Sequence, residues 1–239
     1  MNGQLTQPTR HIGIVACSAE GAALCYRTIC SEAAAFMGPH AHPELSLHSL
    51  SLADYVRCLD QGDLPGVAAL MLDSARKLAS AGAELLICPD NTIHQALPWV
   101  LPHSPRPWLH IAEVVAAEAQ ARGFRRLGLL GTRWLVQSEV YPAALAASGI
   151  EWLRPDEQER DALSALIMDE LVQGQLHATT IRRFQQQIER FKQAGCDAVV
   201  LGCTEIPLII GDHNAALPTL DSTRLLAKAA LRAALQAGD

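Results

Sequence analysis

Short apolar runs alternate along the chain with longer segments in which apolar positions recur every three or four residues. The first kind of pattern predicts strands buried on both faces, the second amphipathic helices. Strands are expected at 11–17, 45–50, 85–88, 127–130, 150–154, 199–201 and 217–220. Helices are expected at 22–36, 53–59, 67–81, 112–122, 138–147, 162–173, 180–194 and 223–235, with a further one over 93–101 disturbed by Pro98 and Pro102. Strands alternating with helices imply an α/β protein with mainly parallel sheets, right-handed crossovers and ligands beyond the carboxyl ends of the strands.

The same pattern occurs twice. Ala194-Gly195-Cys196-Asp197 leads through an apolar run to Gly202 and then Cys203-Thr204-Glu205. Earlier, Ala81-Gly82-Ala83-Glu84 leads through an equal run to Pro89 and then Asp90-Asn91-Thr92, so that Asp90 falls opposite Cys203 without a gap. Ile12-Gly13-Ile14-Val15-Ala16-Cys17-Ser18 likewise parallels Leu127-Gly128-Leu129-Leu130-Gly131-Thr132-Arg133. Two α/β halves with the same strand-to-helix corners are therefore expected, facing each other across a cleft. The stiff stretch Pro102-His103-Ser104-Pro105-Arg106-Pro107 marks a boundary, and Gly211-Asp212-His213-Asn214 reads as a return crossing. The expected division is 1–107 plus 213–239, against 108–212, with the last strand and helix completing the first domain.

Cys203 ends an apolar strand, with Gly202 to allow a tight turn, Thr204 to cap a helix and Pro207 to occupy its first turn. Free backbone amides and the positive end of such a helix are expected to favour its thiolate. The corner after the first strand, Ser18-Ala19-Glu20-Gly21, is suited to an anion, but its glycine spacing fits no nucleotide motif.

Composition narrows the function. Of 239 residues, 49% are hydrophobic and 18% charged, which describes a folded protein with a real core. A net charge of −6 without a basic run argues against nucleic acid or an anionic membrane as partner. A polar first ten residues, read as a loose tail, and no apolar span of bilayer length point to the cytoplasm. Seven cysteines scattered through apolar segments fit reduced thiols. His40 and His42 have no third ligand nearby in sequence, so no metal is expected.

The chain resembles the aspartate/glutamate racemase superfamily through Ile12-Gly13-Ile14-Val15, Asn91-Thr92 with His94, Leu130-Gly131-Thr132 and Leu201-Gly202-Cys203-Thr204-Glu205-Ile206-Pro207. The resemblance implies a cofactor-independent enzyme of two pseudo-symmetric three-layer α/β/α domains with the active site in the cleft between them, a homodimer, with a cysteine from each domain on opposite faces of a small carboxylic acid. Where the first of those cysteines is expected, this chain carries Asp90, and Cys88 stands two residues early. Asp90 and Cys203 are accordingly expected to carry protons to and from the α-carbon. Ser18, Asn91, Thr92, Thr132 and Thr204 are expected to hold the substrate, with His48 and Arg133 as candidates for recognising its side chain. The reading that follows is racemisation or epimerisation of an amino acid or related α-substituted acid. Two alternatives stand beside it: a cofactor-free decarboxylase or cis-trans isomerase using Cys203 alone, and a catalytically silent acid-binding protein. Asp90 could also be a plain helix cap, Glu205 a brace of its loop, and His94 a packed neighbour of the site.

Overall fold

A computed structural model describes residues 9–236. The tail read at the start of the chain lies, up to residue 8, outside the described residues. The described residues form two compact units, one running up to Pro89 with Ala96–His110 and the segment from Leu226 to residue 236, the other made of Asp90–Gln95 and Ile111–Leu225.

The first unit contains β1 (Ile12–Ala16), α1 (Ala19–Met37), β2 (Leu45–Ser49), α2 (Leu52–Asp60), α3 (Leu64–Ser80), β3 (Leu85–Ile87) and the short α4 (Leu97–Val100). Its strands are parallel in the order β2-β1-β3, with β1 wholly buried at the centre. Beyond β3 the chain continues this sheet at Trp108, which bridges Leu86 in parallel, while the Leu86 amide donates to the Pro107 carbonyl at 2.9 Å.

The second unit contains α5 (Ile111–Ala121), β4 (Arg126–Leu130), α6 (Arg133–Gln137), α7 (Val140–Ala147), β5 (Glu151–Leu153), α8 (Glu157–Asp169), α9 (Ala178–Gln193), β6 (Ala198–Leu201) and β7 (Thr219–Asp221). The strands are parallel in the order β5-β4-β6-β7. Alternation along β6 explains its unbroken apolar sequence, because each face meets its own helical layer. Val199 and Leu201 pack with Leu163 and Ile167 of α8 and with Phe184, Ile188 and Phe191 of α9. Ala198 and Val200 pack with Ala112, Val115 and Ala116 of α5 and with Leu145 of α7.

The strand expected at 217–220 pairs with β6 and so extends the second sheet, not the first. Only the helix that follows, α10 (Ser222–Leu235), passes from Leu226 into the first unit. There the Ala234 carbonyl accepts from the Arg10 amide at 3.0 Å. A short apolar run names a strand but not its neighbour, since the ladder is a long-range choice.

The duplicated sequence has a physical counterpart in each unit. Gly82 after α3 and Gly195 after α9 both have positive φ, 102° and 85°, which ends the helix and turns the chain into the next strand. In both copies the following amide reaches back to close the helix, Ala83 to the Leu78 carbonyl at 3.0 Å and Cys196 to that of Phe191 at 2.9 Å. The acidic residue next in line then pins the central strand. Glu84 accepts from the His11 amide at 3.2 Å, and Asp197 accepts from the amides of Arg125 and Arg126 at 2.8 and 3.2 Å.

Candidate functional site

The site is built where β4 and β6 end. The Gly202 amide donates to the Leu130 carbonyl at 2.8 Å, carrying the ladder one residue past β6. A Cβ at Gly202 would stand 2.6 Å from that carbonyl oxygen, so no larger residue fits without moving backbone. One residue later the Cys203 side chain is buried in the α8/α9 face of the core, beside Ile206. Its thiol donates to Glu205 Oε2 at 2.9 Å, and the Thr204 hydroxyl donates to the same oxygen at 2.6 Å. Glu205 is itself only 3% exposed.

That surrounding decides the protonation of the thiol. Burial, then the negative charge of Glu205 and the hydrogen bond to it, push the Cys203 thiol well above its ordinary value. The backbone amide of Glu205 pulls the other way and is outweighed, while Asp90 adds a smaller upward push, which puts its carboxylate within electrostatic reach of the thiol. The expected helix after Cys203 is absent. Ile206–Leu208 forms a single 3-10 turn, too short to supply a helix dipole, and the expected thiolate is therefore replaced by a protonated thiol.

The second corner follows β3. Asp90 is half-buried, and its Oδ1 accepts from the Ile93 amide at 3.2 Å, capping the 3-10 turn Thr92–Ala96. His94 locks this corner from behind. Its Nε2 accepts from the Ile111 amide at 3.2 Å, which leaves Nδ1 to donate to the Asp90 carbonyl at 2.6 Å. A buried imidazole with both nitrogens so used is a strut for the turn and not a base.

Most of the small polar residues expected around the two corners lie in this unit. Thr92 Oγ1 and Thr132 Oγ1 share a hydrogen bond of 3.0 Å, both buried, and Thr132 also caps α6 by accepting from the Leu135 amide at 3.4 Å. Thr204 is turned onto Glu205. Asn91 is held by its own side-chain partners, Tyr141 at 2.6 Å and Ser222 at 3.0 Å. Arg133 begins α6, its amide donating to Ser164 Oγ at 3.0 Å and its exposed guanidinium lying 4.9 Å from the Trp134 ring centroid. Ser18 and His48 belong to the first unit. Ser18 caps α1 by accepting from the Gly21 amide at 3.2 Å, and His48 Nδ1 is 2.9 Å from Ser74 Oγ. Cys88 is buried in the first unit just before the Asp90 corner.

Tyr141 and Ser222 are absent from the expected set. Tyr141 sits within a helix with no motif around it, whereas Ser222 directly follows a strand, the same kind of position as Asp90 and Cys203. Among the described residues no three His, Cys, Asp or Glu side chains stand close enough to hold a metal ion, and no helix is long and apolar enough to cross a membrane.

Comparison with known proteins adds to this geometry. The family profile for Asp/Glu/hydantoin racemases matches residues 12–230. The broad specificity amino-acid racemase RacX of Bacillus subtilis (strain 168) is 23% identical over 188 residues, covering 78% of this chain and 80% of that one. A glutamate racemase of Thermus thermophilus is 28% identical over 160 residues, 65% of this chain and 57% of the relative. Among solved structures, one from Yersinia pestis, named provisionally as an Asp/Glu racemase, superposes with a TM-score of 0.87 at 30% identity, over 95% of this chain and all of that one. An aspartate racemase homologue from Pyrococcus horikoshii OT3 gives 0.81 at 26% identity, over 94% and 99%.

Proposed function

Because the chain belongs to the Asp/Glu/hydantoin racemase family and is an isomerase of racemase type, we propose that it inverts the α-carbon of an amino acid or a related α-substituted acid without a cofactor, using Asp90 and Cys203 as unlike proton carriers. The observation that carries this reading is the state of the thiol. Cys203 is buried and donates to Glu205 at 2.9 Å, which together push its thiol above the ordinary value, and the Asp90 carboxylate lies within electrostatic reach.

A resting enzyme of that kind is a base and an acid already set for one direction. Asp90 takes the α-proton of one enantiomer, the charge spreads into the substrate carboxylate, and Cys203 gives its proton to the opposite face of the carbon. The other enantiomer requires the opposite loading, thiolate at Cys203 and acid at Asp90. Ordinary values of the two groups differ by about 4.6 pH units, or about 6 kcal/mol, and the thiol is itself pushed further up. Racemisation has an equilibrium constant of one, so kcat/KM is the same for both enantiomers whatever the bases are. The inequality therefore falls on kcat and KM separately, each direction saturating at its own level.

The substrate class draws on the broad specificity in the name of the Bacillus subtilis relative. Incubation in deuterium oxide with a panel of amino acids tests the proposal. Deuterium uptake at the α-carbon with loss of optical rotation is the expected result. Thermal stabilisation by an acid without exchange, or conversion to a decarboxylated or isomerised product, would refute it.

A further inference from the structure

We infer that Tyr141 and Ser222 are positioning residues, forming with Asn91 a buried hydrogen-bond chain that ties the Asp90 corner to the end of the strand bearing Cys203. The inference rests on the reading of Asp90 and Cys203 as the two proton carriers, and it assigns to Asn91 a role other than gripping substrate.

The chain runs from α7 to β6. The Tyr141 hydroxyl donates to Asn91 Oδ1 at 2.6 Å, Asn91 Nδ2 donates to Ser222 Oγ at 3.0 Å, and the Ser222 hydroxyl donates to the Leu201 carbonyl at 2.9 Å. Its polarity is forced from one end. The Leu201 carbonyl can only accept, so the Ser222 proton is used there and Ser222 Oγ must accept from Asn91. That fixes the amide with its NH2 toward Ser222 and its oxygen toward the phenol, which must then donate. Burial pushes the Tyr141 phenol well above its ordinary value, so it keeps its proton as a donor.

All three side chains are at most 2% exposed, and water cannot readily replace a lost partner. Asn91 adjoins Asp90, and Leu201 stands two residues before Cys203. Four segments remote in sequence thus meet at the backbone that sets the spacing of the carboxylate and the thiol. The Thr92–Thr132 bond ties the same corner to the end of β4, so Asn91 and Thr92 fasten it to both central strands of the sheet.

A role in stability alone would lower the melting temperature of variants and leave catalysis per folded molecule unchanged. Tyr141→Phe, Ser222→Ala and the double variant separate the two, assayed below the onset of melting with the best amino acid from the deuterium panel. Each single variant is expected to lose about tenfold to a hundredfold in kcat with KM changed less than about threefold, as for a small misplacement of reacting groups. The double variant should fall no further than the worse single one, because both hydroxyls belong to one network around Asn91. Amide hydrogen exchange supplies a readout that needs no turnover. Ser222→Ala should quicken exchange at residues 90–95, and Tyr141→Phe at residues 201–205. Should Ser222→Ala not fold, Ser222→Gly serves in its place. Wild-type kcat in both single variants, multiplicative losses in the double, or exchange changes confined to the immediate neighbours of each substitution would overturn the inference. A parent protein that exchanges no amino acid in the panel would instead sink the functional reading, and the amide rates would then decide alone whether the two corners are coupled.

Discussion

The corners that follow β3 and β6 hold the same place in the duplicated pattern, yet they put their reactive groups in opposite conditions. Asp90 is half-buried, with one carboxylate oxygen on the Ile93 amide of its own turn. Cys203 is buried, faces a carboxylate and keeps its proton. Both corners are braced by a side chain two or four residues on, but by different chemistry. His94 holds the Asp90 carbonyl, whereas Glu205 binds the thiol itself. The difference teaches that a repeated fold conserves where a group stands without fixing what charge it bears. Local desolvation and the sign of the neighbouring charge settle that separately at each corner.

The largest expected effects come from removing either group. Cys203→Ala and Asp90→Asn should each cost roughly 10²–10⁴ in kcat, the range for a positioned general acid or base, as measured by α-proton exchange. Equal rates in parent and variant would strike that residue from the mechanism. Asp90→Cys goes to the heart of the comparison, because it makes the two corners alike. The ratio of kcat values for the two enantiomers should move towards one, and an unchanged ratio would mean that Asp90 does not set the asymmetry.

Gly202→Ala should come next, acting through packing. A Cβ 2.6 Å from the Leu130 oxygen must push β4 and β6 apart, with a cost of about 1–3 kcal/mol in denaturant unfolding and reduced turnover. Full stability in this variant would show that the strand ends tolerate separation. Glu205→Gln removes the charge that helps hold the thiol protonated, so the Cys203 pKa should fall and its alkylation by iodoacetamide at pH 8 should quicken about tenfold, read by peptide mass spectrometry. No change would show that Glu205 does not hold the thiol protonated.

The smallest effect concerns alkaline stability. A thiol whose folded pKa lies above its unfolded one stabilises the fold fully below the ordinary thiol range, and that contribution is lost as pH rises towards and through the raised value. Cys196 acts in the same direction, pushed up to about 11 by burial against the opposing Arg126. Melting temperature should therefore fall between about pH 8.5 and 11, and the fall should be shallower in Cys203→Ser. A parallel pH profile in that variant would contradict the raised thiol.

Much of this protein was legible in one dimension. The alternation of buried runs and amphipathic stretches identified the strands and most helices, because period and length follow from local geometry. The gapless match of Ala81-Gly82-Ala83-Glu84 to Ala194-Gly195-Cys196-Asp197 revealed the duplication, since the helix end and the pinned strand need the same residue types in both copies. The same match set Asp90 opposite Cys203. What escaped was decided by long-range partners. The neighbour of β7 depends on which strand offers an open ladder, the protonation of Cys203 on a carboxylate and a core folded around it, and the orientation of Asn91 on Tyr141 and Ser222, 50 and 131 residues away along the chain. Sequence alone determined where the turns and strands would form, because those depend on neighbours along the backbone. Only the tertiary structure determined which polar groups are committed and which keep a proton, because desolvation and hydrogen bonding depend on neighbours in space.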